Sequence, residues 1–600
     1  MRRDRRAVSK PNDTKKSLKQ VFSLLKDYKL KILITFICAV ISTSFTVISP
    51  LLIGQATTVI FDGLNNMMHN TGTINIEMLV NLLILATILY VVSAIFTYLQ
   101  SWFLTQISTD ISYKLRKRLI EKINLLSMKD FDQNKRGDIL SRITNDVDSL
   151  QTGITSTFLQ FMTAVITIVG VFVMMLSINI TLTVITVILV PVSFLIIMFI
   201  MRKSQKFYKE QLKYKGIVNA EIEETFGGQD IIRTFNQEEK SFDTFQKDNN
   251  KWYDFDWKSQ FYSSLMGPVI NFISNLSYVI IAVIGAILVL QRAILVGDIL
   301  AFFQYIQNFT QPIQQITRVM NLVQTALAAT ERIFEFLEIN IEEDTSTLEI
   351  NDIKESIKFE NVKFAYEEGE EVIKDLTFDV KKGEKIAIVG HTGAGKSTIV
   401  KLLMRFYDIN SGEIKIDGIN INNYNKNSLR SMVGMVLQDT WLFSDTIREN
   451  IRYGNLDAND KEVIQASKIA YAHNFITHLP EGYDTELNED TDNISIGQKQ
   501  LLTIARTILS DKKILILDEA TSSVDTSTEK LIQDAMDRLM MNKTSFIISH
   551  RLSTIKNADK ILVMDDGKII EEGTHNELIN IKNSYYRGLY NQFEAEGGVS

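Results

Sequence analysis

The chain has 600 residues, 46% of them hydrophobic, with one cysteine, six prolines and a formal net charge of −7 at pH 7. That length predicts more than one domain, and the negative balance argues against nucleic acid as a partner. The single cysteine, Cys38, excludes an internal disulfide framework and fits a reducing cytosol or a lipid-facing helix. The scarcity of proline beside abundant Ile, Lys and Asn suggests an AT-rich bacterial genome.

The opening Met1-Arg2-Arg3-Asp4-Arg5-Arg6 is basic but runs into polar sequence, so it makes no secretory signal. From Ser17 to Tyr28, Leu18, Val21, Phe22 and Leu25 share one helical face while Lys19 and Lys26 lie off it, which predicts a short helix on the cytoplasmic membrane surface. Six spans follow, near 32–53, 78–104, 158–178, 180–201, 265–290 and 294–316. Each suffices for roughly 30 Å of hydrocarbon at about 1.5 Å per residue. The third and fourth meet in a tight turn at Ile178-Asn179-Ile180. The stretch from Gly54 to Glu77, expected as a loop, has no Lys or Arg. By contrast Lys114, Arg116, Lys117, Arg118, Lys122, Lys129, Lys135, Arg136 and Arg142 follow the second span, and Arg202, Lys203, Lys206 and Lys209 follow the fourth. Basic residues stay inside, so both long segments and both termini are expected in the cytoplasm.

In the sixth span Gln304, Gln307, Gln311, Gln314 and Arg318 recur at intervals of three and four, which places them on one helical face. Asn271, Ser274, Asn275 and Tyr278 do the same in the fifth. Lipid cannot hydrogen-bond such groups, so both faces should turn to protein or water. Either they line a substrate path, with Asn271, Asn275, Gln304, Gln307, Gln311 and Gln314 as candidates, or they bond between helices. Apart from Asp298 near one end, the spans lack buried charges, which favours an uncharged or amphiphilic cargo over a small ion.

After an acidic linker, 338–352, the apolar strand Ile386-Ala387-Ile388-Val389 leads into Gly390-His391-Thr392-Gly393-Ala394-Gly395-Lys396-Ser397-Thr398 and then an apolar helical run. This is a phosphate-binding P-loop with strand before and helix after. The glycines let backbone N–H groups turn toward phosphate oxygens at a helix N-terminus. Lys396 can reach the β and γ phosphates of ATP, and Ser397 can ligate Mg2+. Further on, Ile514-Leu515-Ile516-Leu517 forms a buried strand ending in Asp518 and Glu519, where Asp518 can hold magnesium and Glu519 can act as general base on the attacking water.

Together these motifs resemble the nucleotide-binding domain of ABC transporters over residues 353–590. The resemblance implies further roles: Tyr366 stacking on adenine, Gln438 in the Q-loop with a share in the metal, Ser522-Ser523-Val524-Asp525 as the D-loop, and His550 as the switch histidine near the γ-phosphate. It also implies that the cytoplasmic segments are helical extensions returning through coupling helices near 127–134 and 225–234, where Gly227-Gly228 permits a sharp turn. The expected architecture is an all-α six-helix transmembrane domain, 1–337, the linker, an α/β P-loop ABC ATPase domain, 353–590, and a frayed tail, 591–600.

The family's LSGGQ signature appears here as Ile494-Ser495-Ile496-Gly497-Gln498, and Leu487-Asn488-Glu489-Asp490-Thr491 also departs from the usual pattern. Ser495, Gly497 and Gln498 are retained to meet ATP held by an opposite domain. Ile496 replaces a glycine, which narrows the backbone angles and adds bulk. One P-loop and six spans per chain imply a dimer. The intact Glu519 beside an altered signature favours a heterodimer of two half-transporters with one degenerate ATP site, and a homodimer is the competing reading. The function implied is ATP-driven export of a hydrophobic or amphiphilic drug or lipid across a bacterial cell membrane, in contact with membrane lipid. The alternatives are an ATP-gated channel or regulator, or an importer with exporter architecture.

Overall fold

A computed structural model describes residues 13–597 except 135, 343, 345, 368, 438–439, 489–492, 519–525 and 549–551; the side chains at 158, 189–190, 192–194, 197, 270, 313–321, 526, 552–553 and 593–597 are also outside the description. The chain divides into two compact units, Met1–Asn124 with Lys135–Ile339, and Leu125–Asn134 with Asn340–Ser600.

The first unit is built on six long helices among the described residues: Lys29–Met68, Ile76–Leu125, the interrupted run Arg136–Ile178, Ile180–Gly227, Glu238–Leu290 and Val296–Leu337. Among the described residues four stretches, Thr14–Met68, Ile76–Leu125, Arg136–Ile178 and Glu238–Leu290, are long and apolar enough to cross a membrane. A short helix, Thr14–Leu25, precedes them with Phe22 largely exposed, and Asp13 caps it by accepting from the Lys15 and Lys16 amides. Asn179 makes the expected tight turn in extended conformation and caps the fourth helix by accepting from the Leu182 amide.

Two expectations need correction. The stretch after Gly54 is not a loop, because the first helix continues to Met68 and the second starts at Ile76, leaving only a short connection. Thr58, Phe61 and Asn65 carry no break, and hydrogen bonds propagate once a long helix is nucleated. The turn at Gly227-Gly228 is also made without special backbone: Gly228 has φ −104°, open to any residue, and the left-handed residue there is Asn236, with φ 50°.

Packing inside this unit is close. Tyr305 on the sixth helix donates to the Val47 carbonyl at 3.0 Å, within a buried cluster including Val171, Met175, Leu182, Ile281 and Phe302. Ser42, Thr46, Ser93 and Thr97 join the first two helices through hydroxyl contacts, the Ser42–Thr97 pair at 2.6 Å. Gly54 and Gly297 let the first and sixth helices touch backbone to backbone, since a Cβ on Gly297 would fall 1.7 Å from the Gly54 carbonyl oxygen.

Among the described residues the second unit carries ten strands: β1 Ser356–Ala365, β2 Glu371–Lys381, β3 Lys385–Gly390, β4 Ser411–Ile416, β5 Ile419–Asn420, β6 Val433–Val436, β7 Ile514–Asp518, β8 Thr544–Ile548, β9 Lys560–Asp565 and β10 Lys568–Gly573. They form an antiparallel sheet in the order β2-β1-β4-β5 and a six-stranded sheet in the order β10-β9-β3-β8-β7-β6. In the latter, β9, β3, β8, β7 and β6 are parallel and β10 returns antiparallel. The parallel strands are near-continuous apolar runs, Ile514-Leu515-Ile516-Leu517 and Phe546-Ile547-Ile548 among them, as burial on both faces requires. The helix Tyr585–Gly597 runs into the stretch expected as a frayed tail.

The acidic linker is pinned rather than loose. Glu342 accepts from Arg430 at 2.9 and 3.1 Å and from Lys426 at 2.9 Å, Asp344 accepts from the Lys426 amide, and the Ile350 amide donates to Ser428. Burial opposes ionisation of Glu342, but the hydrogen bonds and charges of Arg430 and Lys426 outweigh it and hold the carboxyl below its ordinary value. A depressed carboxylate contributes stability above its unfolded pKa, about 4.3, and loses it as pH falls through the folded value. Glu342→Gln is therefore expected to lower the thermal midpoint at pH 7, with the gap to wild type closing below pH about 4. A gap that stays constant down to that pH would contradict the pinning.

Candidate functional site

The parallel strands bring the separate motifs to one edge. β3 ends at Gly390, where the P-loop begins; Asp518 ends β7 in register with Ile548 of β8, and Ile548 is in turn in register with Ile388 of β3. Strand spacing of about 4.8 Å thus sets Asp518 two strands, or roughly 10 Å, from the root of the loop. Gln438, Glu519 and His550 lie outside the described residues, as does the D-loop. They follow within two residues of Val436, Asp518 and Ile548, the carboxyl ends of β6, β7 and β8. Open α/β sheets bind ligands at this edge.

The loop needs its glycines. Gly390, Gly393 and Gly395 have φ of 154°, 89° and 95°, a region that side chains resist. A Cβ on Gly390 would lie 2.2 Å from the Met564 carbonyl oxygen, and one on Gly395 would lie 2.8 Å from Ile373. Gly395 then starts the helix Lys396–Leu403. Ala394 and Thr398 are buried, whereas Thr392 and Ser397 are exposed, and the exposed His391 ring meets Tyr585 edge-on at 5.7 Å.

Lys396 is buried and donates to the carbonyls of Gly390 at 2.8 Å and His391 at 2.9 Å. Burial pushes its ammonium below the usual lysine range and the Asp518 charge pulls the other way. A buried cation whose hydrogen bonds go to loop carbonyls suits an anion presented to the loop. The donor set therefore fits a nucleotide triphosphate, and the exposed Ser397 hydroxyl and Asp518 carboxylate are hard oxygen donors of the kind magnesium takes.

Tyr366 sits half-buried beside this loop. Its hydroxyl is 3.1 Å from that of Thr398, its ring meets Tyr407 edge-on at 5.0 Å, and the Lys401 ammonium lies 5.5 Å from its centroid. The first expected coupling segment folds as the helix Met128–Gln133, capped by Ser127, and belongs to the same compact unit. Tyr407 donates to Asp132 on it at 2.5 Å, Lys401 pairs with Asp132 at 3.7 Å, and Met128 packs on the sheet core. Sequence reading missed Tyr407 and Lys401, although the Arg405-Phe406-Tyr407 run after the P-loop helix offered a signal. The second segment folds as the helix Gln229–Thr234 in the membrane unit, with Phe226, Ile231 and Phe235 exposed.

In the signature, Ser495 caps the helix Ile496–Ser510 by accepting from the Gln498 amide, while the Gln498 side chain accepts from the Ser495 amide. Gly497 is buried and Ile496 is 52% exposed. Ile496 is the first helical residue and does not have positive φ, so the expected backbone restriction does not arise and only its bulk remains.

Of the polar membrane residues, Asn271, Asn275, Gln307 and Gln311 are exposed, Gln304 is half-buried, and the Gln314 and Arg318 side chains are outside the description. Tyr278 turns to protein, one of the two environments expected of that face, with its ring edge-on to Phe303 at 5.2 Å beside the buried helix cluster.

Residues 32–313 match the family model described as the ABC transporter transmembrane region, and residues 373–522 that described as ABC transporter. The chain belongs to the ABC transporter family. A Fatty acid ABC transporter ATP-binding/permease protein of Mycobacterium tuberculosis (strain CDC 1551 / Oshkosh) is 43% identical over 505 residues, 84% of this chain and 80% of the relative. The Uncharacterized ABC transporter ATP-binding protein YfiC of Bacillus subtilis (strain 168) is 38% identical over 589 residues, 98% of this chain and 96% of its own. An ATP-dependent lipid A-core flippase of Syntrophus aciditrophicus (strain SB) is 34% identical over 524 residues, 87% of each chain. Like other ABC transporters of fused design, this chain joins a transmembrane region to an ATPase domain and is an ATP-hydrolysing, multi-pass membrane protein.

Proposed function

We propose that this ABC transporter is an exporter that moves a hydrophobic or amphiphilic molecule, a lipid or a drug, across a bacterial cell membrane as half of a dimer. The observation that carries the reading is the convergence of a glycine-bent loop, a buried Lys396 and Asp518 on one sheet edge of a chain that also supplies the spans. Gly390 to Thr398 cradle the phosphates, Lys396 meets the β and γ oxygens, Ser397, Gln438 and Asp518 hold Mg2+, Tyr366 stacks on adenine, Glu519 is the general base and His550 senses the γ-phosphate. The cargo class rests on relatives named as a fatty acid ABC transporter, an ATP-dependent lipid A-core flippase and a putative multidrug export protein. It also rests on Asn271, Asn275, Gln304, Gln307 and Gln311, whose side chains bond nothing within the protomer's described residues and so are free to line a path.

The partner is a second half-transporter that is not identical to this one. Ser495, Gly497 and Gln498 would close over the partner's nucleotide, and the Ile496 side chain stands in solvent at the helix start, where it would crowd the γ-phosphate. That site is the degenerate one, and this chain's Lys396 and Glu519 serve the competent site against an intact partner signature. The purified chain alone is expected to turn ATP over slowly, and co-expression with the half-transporter encoded beside it should restore turnover. Ile496→Gly should raise the rate of the lone chain by about tenfold, the effect of roughly 1.4 kcal/mol on a barrier. Full turnover by the unmodified lone chain would instead establish a homodimer.

A further inference from the structure

The contacts around Tyr366 form a path that ends outside the phosphate loop. The half-exposed Tyr366 ring is touched by four groups, Phe364, Thr398, Lys401 and Tyr407. Lys401 lies on the P-loop helix about one turn beyond Ser397 and stands 5.5 and 5.7 Å from the Tyr366 and Tyr407 centroids. Both Lys401 and the Tyr407 hydroxyl converge on the Asp132 carboxylate. Asp132 sits in the last turn of Met128–Gln133, whose other anchor is the packing of Met128 on the sheet core.

We propose that Tyr407 and Lys401 are positioning residues that report adenine occupancy of Tyr366 to the Met128–Gln133 helix through Asp132. The inference rests on the reading that Tyr366 receives adenine. A base seated on Tyr366 immobilises that ring, and the groups in contact with it lose freedom at the same time. Two of these four, Lys401 and Tyr407, end on one carboxylate. Burial first, and then the bond to Asp132, pushes the Tyr407 hydroxyl above its ordinary pKa, so it remains a donor throughout the working range. The phosphate end meets this cluster only at its edge, through Thr398 and the P-loop helix that carries Lys401, whereas Lys396 itself is held by loop carbonyls. The adenine moiety, and not the triphosphate alone, therefore sets how firmly the Met128–Gln133 helix is held.

Hydrogen–deuterium exchange on the full chain separates the two halves of the nucleotide. Adenosine 5′-(β,γ-imido)triphosphate with Mg2+ should slow exchange in both the 390–398 loop and the 127–134 segment, the latter by about fivefold. Inorganic tripolyphosphate with Mg2+ should slow the loop alone. Tyr407→Phe, which keeps the ring packing, and Asp132→Ala, which removes the acceptor, should each abolish the response at 127–134 while the loop still responds. The retained loop response shows that the variants fold. A 127–134 segment that answers tripolyphosphate equally, or still answers the nucleotide in both variants, overturns the proposal. If the nucleotide slows neither segment in wild type, the adenine reading itself fails and the proposal with it.

Discussion

Glu519→Gln is expected to slow ATP hydrolysis by roughly 100-fold or more while nucleotide remains bound, the usual worth of a positioned general base. Glu519 directly follows Asp518, and β7 carries Asp518 to the same level as Ile388 and Ile548 on the strands that bear the P-loop and the His550 segment. Substituting the amide keeps size and removes the ability to accept a proton from water. The Lys396 cradle is untouched, so affinity should survive. Steady-state hydrolysis measured alongside equilibrium nucleotide binding checks both halves, and wild-type turnover would contradict the assigned role.

Arg332→Ala should give the largest loss of stability in the membrane unit. The third helix is interrupted by π-helical turns at Arg142–Asp146 and Gly153–Thr157. The first of these ends in Asp146, whose side chain is only 4% exposed and takes both a 2.8 Å bond from Arg332 Nε and a second from its Nη2. Removing the guanidinium leaves a buried carboxylate without its partner, at a cost of about 3 kcal/mol or more. Arg332→Lys should recover only part, because an ammonium cannot reproduce the fork. Asp146→Ala with Arg332→Ala should be milder than the single change, since no buried charge is stranded. Thermal inactivation of the purified protein measures this, and a loss below about 1 kcal/mol would show that Asp146 is not held as described.

What the sequence revealed and what it concealed follow from the range of the interactions. The P-loop was legible because its constraint is local: Gly390, Gly393 and Gly395 mark the positive φ values that the loop adopts. Four of the expected apolar spans and the Asn179 turn were legible for the same reason. The length of the first helix was not, because an absence of basic residues after Gly54 describes which side of the membrane a segment faces and not its backbone. Tyr407 and Asp132 bond across 275 residues, and neither neighbourhood signals the other. Spacing placed Tyr278 on a face turned to protein or water, but the partner it meets, Phe303, lies on another helix that spacing does not name. Ile496 shows the converse: the substitution was visible, but its placement at an unstrained helix start required the fold.

The central claim is that Gly390 to Thr398, with Lys396, form a nucleotide site that works within a pair of half-transporters. Equilibrium binding of Mg-ATP to the full chain in lipid nanodiscs, alone and with the co-expressed neighbouring half-transporter, tests it most directly. Saturable binding that Lys396→Ala abolishes is the result expected, and failure to retain Mg-ATP in either assembly would contradict the account.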